Sequence, residues 1–210
     1  MNQPRIKVCG MTSIQQVQEL AALGVDYAGF IFYEGSPRFV GSKIAGEDLK
    51  SLTGIQKVGV FVNETVEAIL QAAADFGLNA VQLHGDEAPE LCKTLLDKVK
   101  VIKAFRVRGD ETALAELLAS YEDSVDYFLF DTRAQEYGGT GKQFDWSVLT
   151  NTSINKPYFL SGGIGADDVE QVKGFIKTNN VFSLDVNSKF EIEPGVKDME
   201  RVKHFIQDIQ

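Results

Sequence analysis

The chain is poor in the residues that would give it an extracellular, metallic or nucleic-acid-binding character. Among its 210 residues are two cysteines, two histidines, five prolines and one tryptophan. Cys9 and Cys92 are far apart and make a poor disulfide framework, so a reduced, cytoplasmic protein is expected. Neither histidine stands in a cluster with metal-ligand spacing, so no metal and no cofactor is expected. No apolar run approaches the roughly 18 residues of a membrane span, and Met1–Arg5 lacks the apolar stretch of a secretory signal. Positive charge is also short: 21 Lys and Arg against 30 Asp and Glu leave a net charge of −9 and a pI near 4.8. That argues against nucleic acid and acidic membranes as partners, since both need a basic footprint. A small anion remains compatible, because one Arg or a few backbone N–H groups can hold it. The triplets Asn63-Glu64-Thr65 and Asn151-Thr152-Ser153 match a glycosylation signal that a cytoplasmic protein would not use.

What is present is a rhythm. Eight short apolar runs recur: Ile6–Cys9, Tyr27–Phe32, Lys57–Val62, Ala80–His84, Val99–Phe105, Tyr127–Asp131, Tyr158–Ser161 and Val181–Val186. Most are rich in Val, Ile, Phe and Tyr, as strands buried on both faces are. Helical patterns fill the intervals at Thr12–Gly24, Glu64–Gly77, Pro89–Lys98, Glu111–Tyr121, Asp145–Leu149, Ala166–Lys177 and Val196–Ile209. The first opens on a capping-box pattern, Thr12-x-x-Gln15, and stops at Gly24. Strand-then-helix repetition at roughly 26 residues per unit predicts a single (β/α)8 TIM barrel over residues 1–210. No Pro/Ser linker and no repeat divides the chain. A doubly wound sheet is the main rival, and no Gly-x-Gly-x-x-Gly follows the first strand to support it.

On such a barrel, polar residues at the carboxyl ends of strands are the functional candidates. Cys9 ends the first run; its other reading is a small buried hydrophobe. Asp131 ends Tyr127-Phe128-Leu129-Phe130, where desolvation would suit a general acid; a turn-capping carboxylate is the alternative. Ser161-Gly162-Gly163-Ile164 follows the seventh run and Asp185-Val186-Asn187-Ser188 closes the eighth, the usual phosphate end of these barrels. Arg38, presented by Gly35-Ser36-Pro37, suits a carboxylate or phosphate, although an isolated Arg is more often only solvated. His84 reads as a hydrogen-bonded structural histidine, and Cys92 as packing within a helix. Gly138-Gly139-Thr140-Gly141-Lys142 is not a Walker motif, because Glu136 and Gln143 break the pattern; a substrate-covering loop or a plain connection remains.

Taken in order, these segments resemble the phosphoribosylanthranilate isomerase family of tryptophan biosynthesis. The resemblance is carried by Lys7-Val8-Cys9-Gly10-Met11-Thr12, Gly35-Ser36-Pro37-Arg38, Gly59-Val60-Phe61-Val62-Asn63, Val81-Gln82-Leu83-His84-Gly85, Phe130-Asp131-Thr132, Gly138-Gly139-Thr140-Gly141, Leu160-Ser161-Gly162-Gly163-Ile164, Asp185-Val186-Asn187-Ser188 and Pro194-Gly195-Val196-Lys197-Asp198. It implies the third step from chorismate to tryptophan. N-(5-phosphoribosyl)anthranilate becomes 1-(2-carboxyphenylamino)-1-deoxyribulose 5-phosphate in a cofactor-free Amadori rearrangement. By the same resemblance Cys9 is the general base and Asp131 the general acid. Arg38 holds the anthranilate carboxylate, Asp185 contacts sugar hydroxyls, and backbone groups near Gly162, Gly163, Asn187 and Ser188 hold the phosphate. A monomer is expected, with a homodimer as the alternative.

The chemistry asks that burial push Asp131 up and that a positive charge pull Cys9 down from about 8.5. Lys7, two residues earlier on the same strand face, is the candidate for that charge. Lys189 stands where the family more often has Gly, so its effect on the phosphate loop is an open question. The histidine-pathway isomerase is the nearest alternative, but it has Asp at the end of strand one and a half-to-half repeat. A metal-dependent epimerase would need a His/Asp cluster. A non-catalytic sugar-phosphate sensor would not need both proton-transfer groups.

Overall fold

A computed structural model describes residues 3–107, 114–132 and 145–209. Eight parallel strands close on themselves in sequence order: β1 (Arg5–Val8), β2 (Tyr27–Ile31), β3 (Gln56–Phe61), β4 (Ala80–Leu83), β5 (Lys100–Val107), β6 (Tyr127–Thr132), β7 (Tyr158–Leu160) and β8 (Val181–Val186). The ring shuts where Lys7 pairs with Asp185 and Val8 with Val186. This is the expected TIM barrel.

Period-two alternation sorts the strand residues into two cores. Ile6, Val8, Val81, Leu83, Phe128, Phe130, Leu184 and Val186 face outward and pack beneath the helices. Tyr27, Val58, Ala80, Ile102, Leu129 and Phe159 face inward and fill the barrel as a separate cluster. The same alternation puts Cys9 two residues above Lys7, His84 two above Gln82, Asp131 two above Leu129, and Ser161 two above Phe159. The barrel interior is therefore apolar at its base and polar at its mouth.

The outer helices are α1 (Ile14–Ala22), α2 (Gly46–Ser51), α3 (Val66–Phe76), α4 (Pro89–Leu96), α5 (Leu114–Tyr121), α6 (Ser147–Thr150), α7 (Val169–Thr178) and α8 (Met199–Ile209). Their caps are legible. The Thr65 side chain accepts from the Ala68 N–H at the start of α3, Gly77 closes that helix with φ +61°, and Pro89 opens α4.

Two local expectations are corrected, and one helix is new. The cap of α1 is Ser13, whose hydroxyl accepts from the Gln16 N–H. Thr12 instead donates to the Gly195 carbonyl at 2.6 Å, because its side chain faces the last loop. The six-residue α2 had not been foreseen; it buries Leu49 alone and so carries no helical stripe. The last helix begins at Met199 rather than Val196, since Val196–Lys197 (β10) pairs antiparallel with Glu191–Glu193 (β9). The glycine-rich stretch 138–142 lies outside the described residues, as does the start of the helix expected from Glu111. Among the described residues, no helix is long and apolar enough to cross a membrane.

Candidate active site

At the carboxyl end of the barrel lies a cavity lined among others by Cys9, His84, Asp131, Ser161, Gly162, Gly163, Asp185, Asn187 and Ser188. A larger hollow opens at the opposite end around Arg5, Tyr27 and Tyr127, but it gathers none of the predicted site residues. The fold therefore brings together seven of the eight predicted residues: Cys9, Asp131, Asp185, Gly162, Gly163, Asn187 and Ser188.

Cys9 is held by its backbone. Its N–H donates to the Val186 carbonyl at 2.9 Å, which extends the β1–β8 ladder by one residue. Burial pushes the thiol above its ordinary pKa; Lys7 pulls it down, Asp185 pushes it up again, and Lys197 pulls down. Lys7 exerts the expected downward pull, but the expected net lowering of Cys9 is corrected, because desolvation outweighs that pull. Lys7 is also engaged elsewhere. Its Nζ donates to Asp185 Oδ1 at 2.8 Å with both side chains buried. Burial opposes the charge on Lys7, yet Asp185 and Cys9 overcome it and hold the ammonium above the ordinary lysine range. Asp185 therefore has its back to Lys7 and its other edge at the cavity.

Asp131 faces the cavity from β6 with His84 opposite. Nε2 of His84 lies 3.3 Å from Asp131 Oδ2, and its Nδ1 lies 2.8 Å from Nε2 of Gln82. His84 is therefore a site residue that the sequence reading set aside as structural. The available signal was its position at a strand's carboxyl end, the same one that marked Cys9 and Asp131. The turn that follows it is fixed by a buried cluster: Glu87 accepts from the Asn63 and Gly85 N–H groups and pairs with Lys103 at 2.9 Å.

Arg38 is the exception. It does not line the cavity in this structure; its Nε and Nη2 donate to both carboxylate oxygens of Glu191 at 2.6–3.0 Å. Lys197 donates to the same carboxylate at 2.7 Å and to Asn187 Oδ1 at 2.7 Å. The β9–β10 hairpin thus couples Arg38 to the loop after β8. Glu191 and Lys197 are functional-site neighbours that the sequence reading missed, because only the hairpin brings them to Arg38.

The far rim of the cavity is backbone. Gly162 and Gly163 have φ of +92° and +71°, conformations that glycine adopts without a Cβ penalty. Ser188–Phe190 forms a short 3-10 turn facing them. Among the described residues only Asn63 is a non-glycine with positive φ, so Lys189 sits in an ordinary conformation and needs no glycine. No group of three or more His, Cys, Asp or Glu side chains is placed to hold a metal among the described residues.

A family model for "N-(5'phosphoribosyl)anthranilate (PRA) isomerase" matches residues 6–208. The chain belongs to this family. It is 46% identical over 208 residues to the N-(5'-phosphoribosyl)anthranilate isomerase of Parabacteroides distasonis, covering 97% of this chain and 92% of that one. It is also similar to the solved phosphoribosyl anthranilate isomerase of Thermotoga maritima, with 37% identity, a TM-score of 0.82 and 98% of each chain covered. A further solved isomerase, in complex with reduced 1-(o-carboxyphenylamino)-1-deoxyribulose 5-phosphate, shares 34% identity with a TM-score of 0.80 over 98% of each chain.

Proposed function

We propose that Cys9 and Asp131 are the base and acid with which this family member isomerises N-(5'-phosphoribosyl)anthranilate to 1-(2-carboxyphenylamino)-1-deoxyribulose 5-phosphate. Protonated Asp131 gives its proton to the ribose ring oxygen, the C1–O bond breaks, and a protonated Schiff base forms. That cation acidifies the C2–H, and Cys9 thiolate removes the proton. The resulting enolamine tautomerises to the aminoketose. Atoms and charge balance without any outside reagent, and proton transfer is all that the side chains must supply.

The observation that carries this reading is the convergence of Cys9 and Asp131 on one cavity whose rim is Gly162, Gly163, Asn187 and Ser188. A thiol and a carboxyl face a space with backbone-rich walls suited to a phosphate. The ligand named for one solved relative is the reduced form of the proposed product. Burial leaves Cys9 mostly as a thiol before substrate arrives. The Schiff-base cation formed beside it favours the thiolate, whose proton passes to solvent in the open mouth of the cavity. Arg38, steadied by Glu191, would present its remaining N–H edge to the anthranilate carboxylate, and Asp185 would accept from a sugar hydroxyl.

Membership of a tryptophan-biosynthesis family and the acidic composition with only two cysteines support a cytoplasmic location. A solved Thermotoga maritima relative, 34% identical with a TM-score of 0.80, is described as generated monomers of a dimeric isomerase. For this chain the expected monomer is a proposal that sedimentation equilibrium decides. Turnover is tested by generating the substrate in place and following the loss of anthranilate fluorescence. Tight binding of the substrate without turnover would favour a sensor over an enzyme.

A further inference from the structure

We propose that Gln82 is a positioning residue that sets the tautomer of His84, and through it the readiness of Asp131 to release its proton. The inference rests on the reading of Asp131 as the general acid. Gln82 is buried inside the barrel, 2% exposed, on β4, two residues before His84. Its amide Nε2 lies 2.8 Å from His84 Nδ1, while its Oε1 is buried with no hydrogen-bond partner. An amide nitrogen only donates, so Nδ1 must accept and the ring proton must sit on Nε2. That proton points at Asp131 Oδ2, 3.3 Å away.

The consequence follows from where charge develops. As Asp131 hands its proton to the ring oxygen, negative charge grows on its carboxylate. A donor already aimed at that carboxylate stabilises the transition state more than the ground state, in which the acid is neutral. The other tautomer would present a lone pair to Asp131 and favour its protonated form instead. The amide stands with its nitrogen, not its oxygen, toward the ring, and this leaves Oε1 unpaired. The orphaned Oε1 is thus the cost of keeping the nitrogen on His84, and an unpaired buried acceptor at a candidate site calls for such a reason.

The test uses the whole chain labelled with 15N-histidine. Only His84 and His204 contribute, and exposed His204 on α8 serves as an internal reference. At about pH 8, above the ordinary imidazole range, His84 is expected to show a protonated Nε2 and a bare Nδ1. Gln82→Glu offers Nδ1 an acceptor in place of a donor, so the proton is expected to move to Nδ1. Its kcat should fall on the order of tenfold or more while KM changes little. Gln82→Met, of similar size and without a donor, should give mixed tautomers and a smaller fall. A proton on Nδ1 in the parent protein would overturn the proposal without needing any variant. So would a switched tautomer in Gln82→Glu with unchanged kcat. Full activity in Asp131→Asn would instead sink the acid reading while leaving the parent spectrum to judge Gln82.

Discussion

Nζ of Lys7 lies 2.8 Å from Oδ1 of Asp185, and the two side chains are 0% and 5% exposed. The pair sits directly beneath Cys9, between the apolar base of the barrel and its reactive mouth. Its two members push the thiol in opposite directions, with Lys7 lowering and Asp185 raising it. Removing Lys7 leaves only the adverse partner. Lys7→Met is expected to raise the Cys9 pKa further, so the rising limb of kcat/KM moves to higher pH and activity at neutral pH falls. Breaking one side of a buried pair also costs about 3–5 kcal/mol of stability, readable by urea denaturation. An unmoved rising limb in a folded Lys7→Met would show that Lys7 has no electrostatic hold on Cys9.

Arg38 tests the recognition half of the account. If its contact with substrate is equally strong in the ground and transition states, Arg38→Met raises KM and spares kcat. Steady-state kinetics separates the two. An equal fall in kcat and kcat/KM would instead assign Arg38 a role in the chemical step.

Glu191 makes the same network sensitive to acid. Burial raises its pKa, but the Arg38 and Lys197 hydrogen bonds and charge outweigh it, and the carboxyl lies below the ordinary glutamate range. A pKa depressed by folding contributes stability above the unfolded value, about 4.3 for Glu, which is lost as pH falls through the folded value. Glu191→Gln should therefore flatten the decline of stability below about pH 4.3. Thermal melts from pH 6 to 3 check it; parallel curves for parent and variant would contradict it.

Gly29 on β2 tests the fit around the thiol. A Cβ built there would stand 2.7 Å from Cys9 Sγ and 3.1 Å from its Cα. Gly29→Ala must push Cys9 aside, at about 1–3 kcal/mol for an overpacked core position. A large loss of kcat in a folded Gly29→Ala is expected. Unchanged kcat would mean the thiol has room to spare.

The parts legible in the sequence were those that repeat a local rule. Strands buried on both faces read as apolar runs, and period two then carried Cys9, Asp131 and Ser161 to the mouth of the barrel. The short α2 was not legible, since one buried leucine in six residues makes no stripe. The β9–β10 hairpin was hidden because Val196 and Lys197 continue smoothly into a helical pattern. With it were hidden Glu191 and Lys197, whose meeting with Arg38 depends on contacts about 150 residues apart in the chain. The Cys9 pKa was misjudged for a related reason: the sequence shows the neighbouring Lys7 but not the burial that outweighs it.

The central claim is that Cys9 and Asp131 divide the proton transfers between them. Its most direct test is kcat for Cys9→Ser and Asp131→Asn, followed by the loss of anthranilate fluorescence with substrate generated in place. Each variant is predicted to lose on the order of a hundredfold or more. Parent-like kcat in a folded Cys9→Ser would contradict the account.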